Sequence, residues 1–151
     1  MAKSTGHSFN CVEDVMMRVN RENQLHGFNE SCMKIGSVFG GGIAGSGEVC
    51  GAASGGVMCL ALMKGTTGDE PIDIFKKKRT EARKVISTFL SDFATAWGTV
   101  QCRFLLAMDK GGIPTKGELR KGPPRNLCNE YVDWVVDEIL RIASEISDTL
   151  E

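Results

Sequence analysis

Residues 39–56 read FGGGIAGSGEVCGAASGG, and this glycine-rich stretch leads into an apolar segment that ends near Lys64. The pattern predicts a loop followed by a helix over residues 48–64. Glycine inside a helix costs about 1 kcal/mol relative to alanine, so the run of small residues over 51–56 needs a compensating reason. We expect another backbone, or a cofactor, to lie closely against this helix.

Helical spacing also dominates the rest of the chain. On the first predicted helix, apolar residues recur at i, i+3, i+4 and i+7 as Val12, Val15, Met16 and Val19. Asn10 and Glu13 have the spacing of a capping box at its start. The predicted helices cover residues 9–24, 29–38, 48–64, 69–97 and 127–149, with a short helix after Thr99. We therefore predict an all-α fold, a single domain over residues 1–151 built as a bundle of about five to six helices.

Two of the predicted helices carry long apolar faces. The helix over residues 69–97 has a continuous apolar stripe formed by Ile72, Phe75, Ala82, Ile86, Phe89, Leu90, Phe93 and Trp97. The last helix adds Tyr131, Trp134 and Ile142 to its buried face, and an arc this wide predicts a homodimer through the C-terminal helix. Residues 109–126 are rich in Gly, Pro and Lys and are predicted to form a loop.

Charge and hydropathy argue against two classes of partner. Lys and Arg total 18 against 19 Asp and Glu, a net charge of −1, which is not the basic footprint of a nucleic-acid binder. The basic run at residues 76–79 lies on a predicted amphipathic helix and is interpreted as its solvated face. The longest apolar stretch, residues 49–63, is shorter than the roughly 17–20 residues that cross a membrane. Because the N-terminus has no secretory signal pattern, we expect a soluble protein of the cytoplasm.

Six cysteines are the unusual feature of the composition, at positions 11, 32, 50, 59, 102 and 128. In the cytoplasm thiols are kept reduced, which favours metal ligation or thiol redox chemistry over structural disulfides. All except Cys59, which we assign to the core, fall in the first turn of a predicted helix. Backbone N–H groups stabilise a thiolate there, so we expect lowered pKa values. No C-x-x-C or Cys/His zinc spacing occurs, so any joint site is assembled from distant segments.

Three glycines imitate a nucleotide-binding motif. Gly40, Gly42 and Gly45 spell G-x-G-x-x-G, which binds a dinucleotide only between a strand and a helix and with an acid about 20 residues further on. Residues 57–63 are VMCLALM, and the next acid is Asp69. Strands and helices do not alternate around the motif. We therefore interpret the glycines as a different kind of loop.

The chain resembles the C_GCAxxG_C_C family of small proteins described as redox-active. The resemblance begins at Asn10-Cys11, continues through FGGGI at residues 39–43 and CGAASG at residues 50–55, and ends with isolated Cys102 and Cys128. It implies that the characteristic cysteines are Cys11, Cys50, Cys102 and Cys128, which leaves Cys32 and Cys59 outside the pattern. A similar domain in split-Soret cytochromes is associated with a non-haem iron centre, so the resemblance also allows an iron–sulfur cluster.

Three hypotheses follow, and the sequence does not choose between them. The first is a thiol/disulfide or electron-transfer protein acting on a protein redox partner, with Cys50 as nucleophile and Cys11, Cys102 or Cys128 as resolving thiol. The second is a [2Fe–2S] cluster or zinc ion held by the same four thiolates. The third is a dimeric helical interaction module whose cysteines serve packing. Neither the residues nor the resemblance names a substrate, so whether the protein is an enzyme stays open.

Overall fold

A computed structural model describes residues 6–109 and 127–149. Within these ranges the chain forms six helices: α1 (Cys11–Glu22), α2 (Glu30–Gly36), α3 (Gly51–Lys64), α4 (Ile72–Trp97), α5 (Cys102–Asp109) and α6 (Cys128–Thr149). The described residues contain no strand, and their one β-type pairing is an isolated antiparallel bridge between Val49 and Gln101. The predicted all-α class and helix number are confirmed.

Helix α3 lies at the centre of the bundle and packs against α1, α4 and α6. Its small residues are what allow this. A Cβ on Gly55 would stand 2.9 Å from the Cβ of Val15 in α1, and a Cβ on Gly56 would stand 2.6 Å from the ring of Phe89 in α4. The close approach of neighbouring helices therefore accounts for these helical glycines. This is the first of the two explanations offered by the sequence, which were a neighbouring backbone or a cofactor.

The glycine at position 56 provides a direct test of this packing. Substitution of Gly56 by Ala gains about 1 kcal/mol of helix propensity, but the added methyl meets Phe89, and overpacking a core costs about 1–3 kcal/mol. We expect net destabilisation in urea unfolding. Ala61 is exposed in the same helix, so Ala61→Gly measures the propensity difference alone. A Gly56→Ala protein more stable than the wild type would contradict the packing explanation.

The buried faces of α1 and α6 are those that the sequence predicts. Val12, Val15 and Val19 are fully buried in α1, as is most of the predicted inner face of α6. The extra apolar residues of α6 also pack within the chain: Tyr131 is buried with its ring centroid 4.9 Å from that of Trp97, and Trp134 meets Phe93 edge-on at 5.6 Å. The wide arc no longer requires a second subunit, and the homodimer stays a prediction.

The apolar stripe predicted along α4 is wrong at its N-terminal end. Ala82, Phe89 and Phe93 are buried, but Ile72 is 63% exposed. The reason is length, because the 26 residues of α4 span about 39 Å whereas the 14 residues of its neighbour α3 span about 21 Å. The first turns of α4 therefore extend past the core.

Two further predictions concern the long loop and membrane-spanning helices. Of the predicted loop 109–126, residue 109 ends α5 and residues 110–126 lie outside the described residues. No helix in the two described ranges is long and apolar enough to cross a lipid bilayer.

Candidate functional site

Four cysteines mark the starts of four different helices. Cys11, Cys102 and Cys128 are the first residues of α1, α5 and α6, and Cys50 is the N-cap residue of α3. The predicted placement of these cysteines at helix starts is confirmed. Helix α3 begins at Gly51, three residues later than predicted, because Val49 pairs with Gln101 instead of joining the helix.

The start of α1 is held in place by Asn10. Its side chain accepts a hydrogen bond from the Glu13 N–H at 2.9 Å, and the Glu13 carboxylate accepts one from the Asn10 N–H at 3.0 Å, which completes the predicted capping box. The Asn10 amide also donates to the carbonyls of Gly36 and Ser37. Cys11 is thereby fixed relative to the end of α2, from which the glycine loop departs.

The glycine loop turns in a left-handed conformation. Five consecutive residues have positive φ, namely Gly41, Gly42, Ile43, Ala44 and Gly45. The backbone is strained at Ile43 and Ala44, since residues that carry a Cβ rarely adopt a positive φ. Main-chain hydrogen bonds close the turn, including the Ala44 N–H to the Val38 carbonyl at 2.7 Å. The glycine loop is therefore a tight turn closed by its own main-chain hydrogen bonds.

Two glycines of this region make room for cysteine-bearing segments. A Cβ on Gly42 would stand 2.8 Å from the Cβ of Cys102 and 2.5 Å from the backbone nitrogen of Glu48. A Cβ on Gly51 would stand 3.1 Å from the Cβ of Cys11. Glycine at these positions therefore lets the chain segments carrying Cys102 and Cys11 approach the Cys50 segment.

The isolated antiparallel bridge between Val49 and Gln101 joins the segments of Cys50 and Cys102. The Cys50 N–H donates to the Val100 carbonyl at 2.7 Å, and the Cys102 N–H donates to the Glu48 carbonyl at 2.6 Å. Both donors belong to the cysteines themselves. The separation of these two backbones is thus set by direct hydrogen bonds.

Arg103 links the start of α5 to the glycine loop, a role that the sequence analysis did not predict. Its guanidinium donates to the carbonyls of Ser46 and Gly47 and to the Glu48 carboxylate, the last at 2.7 Å. A basic residue next to Cys102 and an acid next to a glycine loop are common features, so sequence spacing alone does not reveal the pairing. These hydrogen bonds hold the loop against the start of α5.

The structure brings all four thiols into one neighbourhood. The side chains of Cys11 and Cys128 are hydrogen-bonded to each other, and Cys11 is also within electrostatic range of Cys50 and Cys102. Cys50 is in turn influenced by Cys102 and Cys128. Cys50 is 6% exposed, whereas the other three are half-buried. No disulfide joins any of the six cysteines, all of which lie in the described ranges.

The pKa values of Cys11, Cys50 and Cys102 shift in the opposite direction from the prediction. The hydrogen bond with Cys128, together with burial, raises the pKa of Cys11 far above its ordinary value. Burial raises the pKa of Cys50 to about 11, although the N–H groups of Ala53 and Ala52 oppose this shift. Burial and the nearby Cys128 also raise the pKa of Cys102. The helix starts do favour thiolates, but desolvation and the other thiols outweigh them.

A family model identified by comparison covers nearly the whole chain. The family described as "Putative redox-active protein (C_GCAxxG_C_C)" matches residues 9–142. The chain belongs to the C_GCAxxG_C_C family. Neither the curated proteins nor the solved structures include a match. The family description gives redox activity as the common function and does not extend to a reaction or a partner.

The raised pKa of the family's central cysteine predicts a pH dependence of stability. The Cys50 pKa is about 11 in the folded protein against 9.0 for the isolated group, so the folded state binds this proton more tightly. The stabilisation is complete below about pH 9 and is lost as pH rises towards 11. We expect urea unfolding of the wild type to lose more stability over this range than unfolding of Cys50→Ala. Equal pH dependence in the two proteins would contradict the shift.

The two cysteines outside the C_GCAxxG_C_C pattern lie near each other instead of joining the four. Cys59 is fully buried in α3, as predicted for a core residue. Burial raises its pKa to about 12, with a smaller contribution from Cys32. Cys32 is the third residue of α2, where its thiol donates a weak hydrogen bond to the Gly27 carbonyl at 3.6 Å.

The four family cysteines offer sulfur atoms as soft metal donors, but their side chains are not arranged as the ligands of a metal ion. Within residues 6–109 and 127–149, no three His, Cys, Asp or Glu side chains are arranged so that they could hold a metal ion. The donor chemistry suits zinc or an iron–sulfur cluster. Binding of either one would require the four sulfur atoms to move closer to one another.

Proposed function

We propose that this protein is a thiol-based redox protein that exchanges a disulfide with a partner protein through its four clustered cysteines. The observation that carries the proposal is the hydrogen bond between Cys11 and Cys128. These residues are far apart in sequence and begin different helices, yet their side chains are hydrogen-bonded to each other. A dithiol so arranged is suited to close into a disulfide.

The attacking role is assigned to Cys128 in this proposal. The hydrogen bond with Cys128, together with burial, raises the pKa of Cys11, so Cys11 keeps its proton firmly. The half-buried Cys128 is therefore given the first attack, and Cys11 the resolving step. Cys50, which the sequence analysis chose as nucleophile, is nearly inaccessible and has a pKa of about 11. We therefore give Cys50 and Cys102 a supporting role beside the reacting pair.

The proposed exchange has two steps. The Cys128 thiolate attacks one sulfur of the partner's disulfide, breaking that S–S bond and forming a mixed disulfide while the other partner sulfur leaves as a thiolate. Cys11 then gives up its proton and attacks the Cys128 sulfur. This forms the Cys11–Cys128 disulfide and releases the second partner sulfur. In total two electrons and two protons pass to the partner, and an external dithiol reverses the reaction.

Disulfide mapping tests this assignment. Reduced protein is oxidised with a small disulfide, blocked with an alkylating agent, digested and analysed by mass spectrometry without reduction. We expect one intramolecular linkage, between Cys11 and Cys128, and alkylation of the other four cysteines after unfolding, at positions 32, 50, 59 and 102. If all six thiols stay reduced at redox equilibrium, thiol–disulfide exchange is not the function. The proposal also implies a reducing compartment such as the cytoplasm, where the dithiol form is regenerated.

A [2Fe–2S] cluster or a zinc ion on the same cysteines is the second candidate. It is supported by the mutual effect of the thiols, since Cys50, Cys102 and Cys128 all oppose ionisation of Cys11. A bound cation would remove this repulsion and deprotonate the ligands. Anaerobic purification followed by an absorbance scan and iron, zinc and sulfide analysis separates the candidates. A colourless, metal-free protein with full exchange activity leaves the dithiol mechanism in place.

A further inference from the structure

A second sulfur-rich site lies away from the four family cysteines. A cavity of about 210 Å³ opens beside α2. Its lining residues come from three helices: Met16, Cys32, Ile35, Met58, Ala61 and Leu62. Three of the six carry sulfur, one on each of α1, α2 and α3. The redox mechanism uses none of them.

The three sulfur-bearing residues line the cavity from different helices, Met16 from α1, Cys32 from α2 and Met58 from α3. Met16 is buried, and its methyl group reaches the end of α2, where a Cβ on Gly36 would stand 2.5 Å from it. Glycine at position 36 thus leaves space for the Met16 thioether beneath the helix that carries Cys32. Met58 lines the cavity from α3, and Cys32 is close enough to the next residue of α3, Cys59, to contribute to its raised pKa.

The chemistry of the lining selects the kind of ligand. None of the six lining residues carries a formal charge, so an ion in this cavity is neutralised only by its own ligands. One thiolate balances one positive charge, whereas a divalent ion would leave a net charge in apolar surroundings at high cost. Thiolate and thioether sulfurs are the donors that favour Cu(I).

We propose that this sulfur-lined cavity binds one monovalent copper ion through the Cys32 thiolate and the thioethers of Met16 and Met58. The ion replaces the proton of the Cys32 thiol, which passes to solvent, so the metal–thiolate unit is neutral and no electron is transferred. Access is from the surface, because Cys32 is half-buried and Ile35 on the rim is 56% exposed. Cys59 stays protonated behind the site, in keeping with its fully buried position.

The test uses the reduced full-length protein labelled with ¹³C in the methionine methyl groups. Cu(I) is added anaerobically from a bicinchoninate buffer. We expect the methyl resonances of Met16 and Met58 to shift, whereas those of Met17 and Met63, which do not line the cavity, stay in place. This readout locates the ion, so copper bound only by the four family cysteines is recognised by unchanged Met16 and Met58 signals and would overturn the proposal.

Variants separate the role of the thiol from that of the cavity. Cys32→Ser is expected to abolish the Met16 and Met58 shifts, and Met58→Leu, which keeps the volume, to weaken Cu(I) binding. Cys59→Ala is the matched control and is expected to retain both shifts. Shifts that persist in Cys32→Ser would overturn the proposal. Because the wild-type titration needs no substitution, it decides the question even if a variant fails to fold, and it is independent of the outcome of the disulfide mapping.

Discussion

Replacement of Cys128 by Ala is expected to abolish disulfide exchange and, at the same time, to make Cys11 more reactive towards simple alkylation. Exchange is lost completely because the proposed nucleophile is gone. Cys11 becomes more reactive because its hydrogen bond with Cys128 is the largest cause of its raised pKa. Removal of that bond lowers the Cys11 pKa and increases its thiolate fraction at a given pH.

The two opposite effects distinguish a redox role from a packing role. Exchange is measured with a small disulfide substrate, and the alkylation rate of Cys11 is measured by mass spectrometry at pH 8 in the same preparations. Cys32→Ser is the matched control, since it removes a half-buried thiol outside the four-cysteine cluster, and both rates are expected to match the wild type. If Cys128→Ala changes only the melting temperature, the four cysteines serve packing and the redox proposal fails.

Substitution of Gly42 by Ala is expected to produce the largest structural effect of any single methyl group near the site. Gly42 and Gly45 both have positive φ, 73° and 74°, and a non-glycine residue in this conformation costs roughly 1–2 kcal/mol. A Cβ on Gly45 meets nothing within 4 Å, whereas one on Gly42 collides with Glu48 N, Gly47 C and the Cβ of Cys102. Overpacking adds about 1–3 kcal/mol at position 42.

The comparison between the two glycines therefore isolates the steric contact. Gly45→Ala is expected to lower the free energy of unfolding by the conformational cost alone and to leave Cys102 as accessible as in the wild type. Gly42→Ala is expected to be less stable still and to increase the alkylation rate of Cys102, because the segments of Glu48 and Cys102 must separate. Equal effects of the two substitutions would show that the loop does not position Cys102.

Local features were predicted well where short-range physics determines them. The capping box of Asn10 and Glu13 depends on residues three positions apart, and the buried face of α1 follows from helical periodicity. The helix-start placement of Cys11, Cys50, Cys102 and Cys128 follows from the same signals, because cap residues and turns come before each helix. Such features need no knowledge of the rest of the fold.

Predictions that depended on surroundings were less accurate. The first turn of a helix by itself lowers the pKa of a thiol. The pKa of Cys50 is nevertheless raised to about 11, because burial outweighs the hydrogen bonds from backbone N–H groups. The start of α4 is apolar enough to belong to the core, yet Ile72 is exposed because no neighbouring helix reaches that far. In both cases the deciding factor is which atoms lie nearby from other segments.

The chain's residues alone therefore establish an all-α protein, its helix starts and the positions of its cysteines, since hydrogen-bond capping and periodicity act over a few residues. Which cysteines meet is a tertiary property. Cys11 and Cys128 come together because α1 and α6 both pack on α3, and Cys102 reaches Cys50 because Gly42 leaves room for it. Contacts between segments so far apart depend on the packing of the whole bundle, so no local spacing of cysteines could have predicted them.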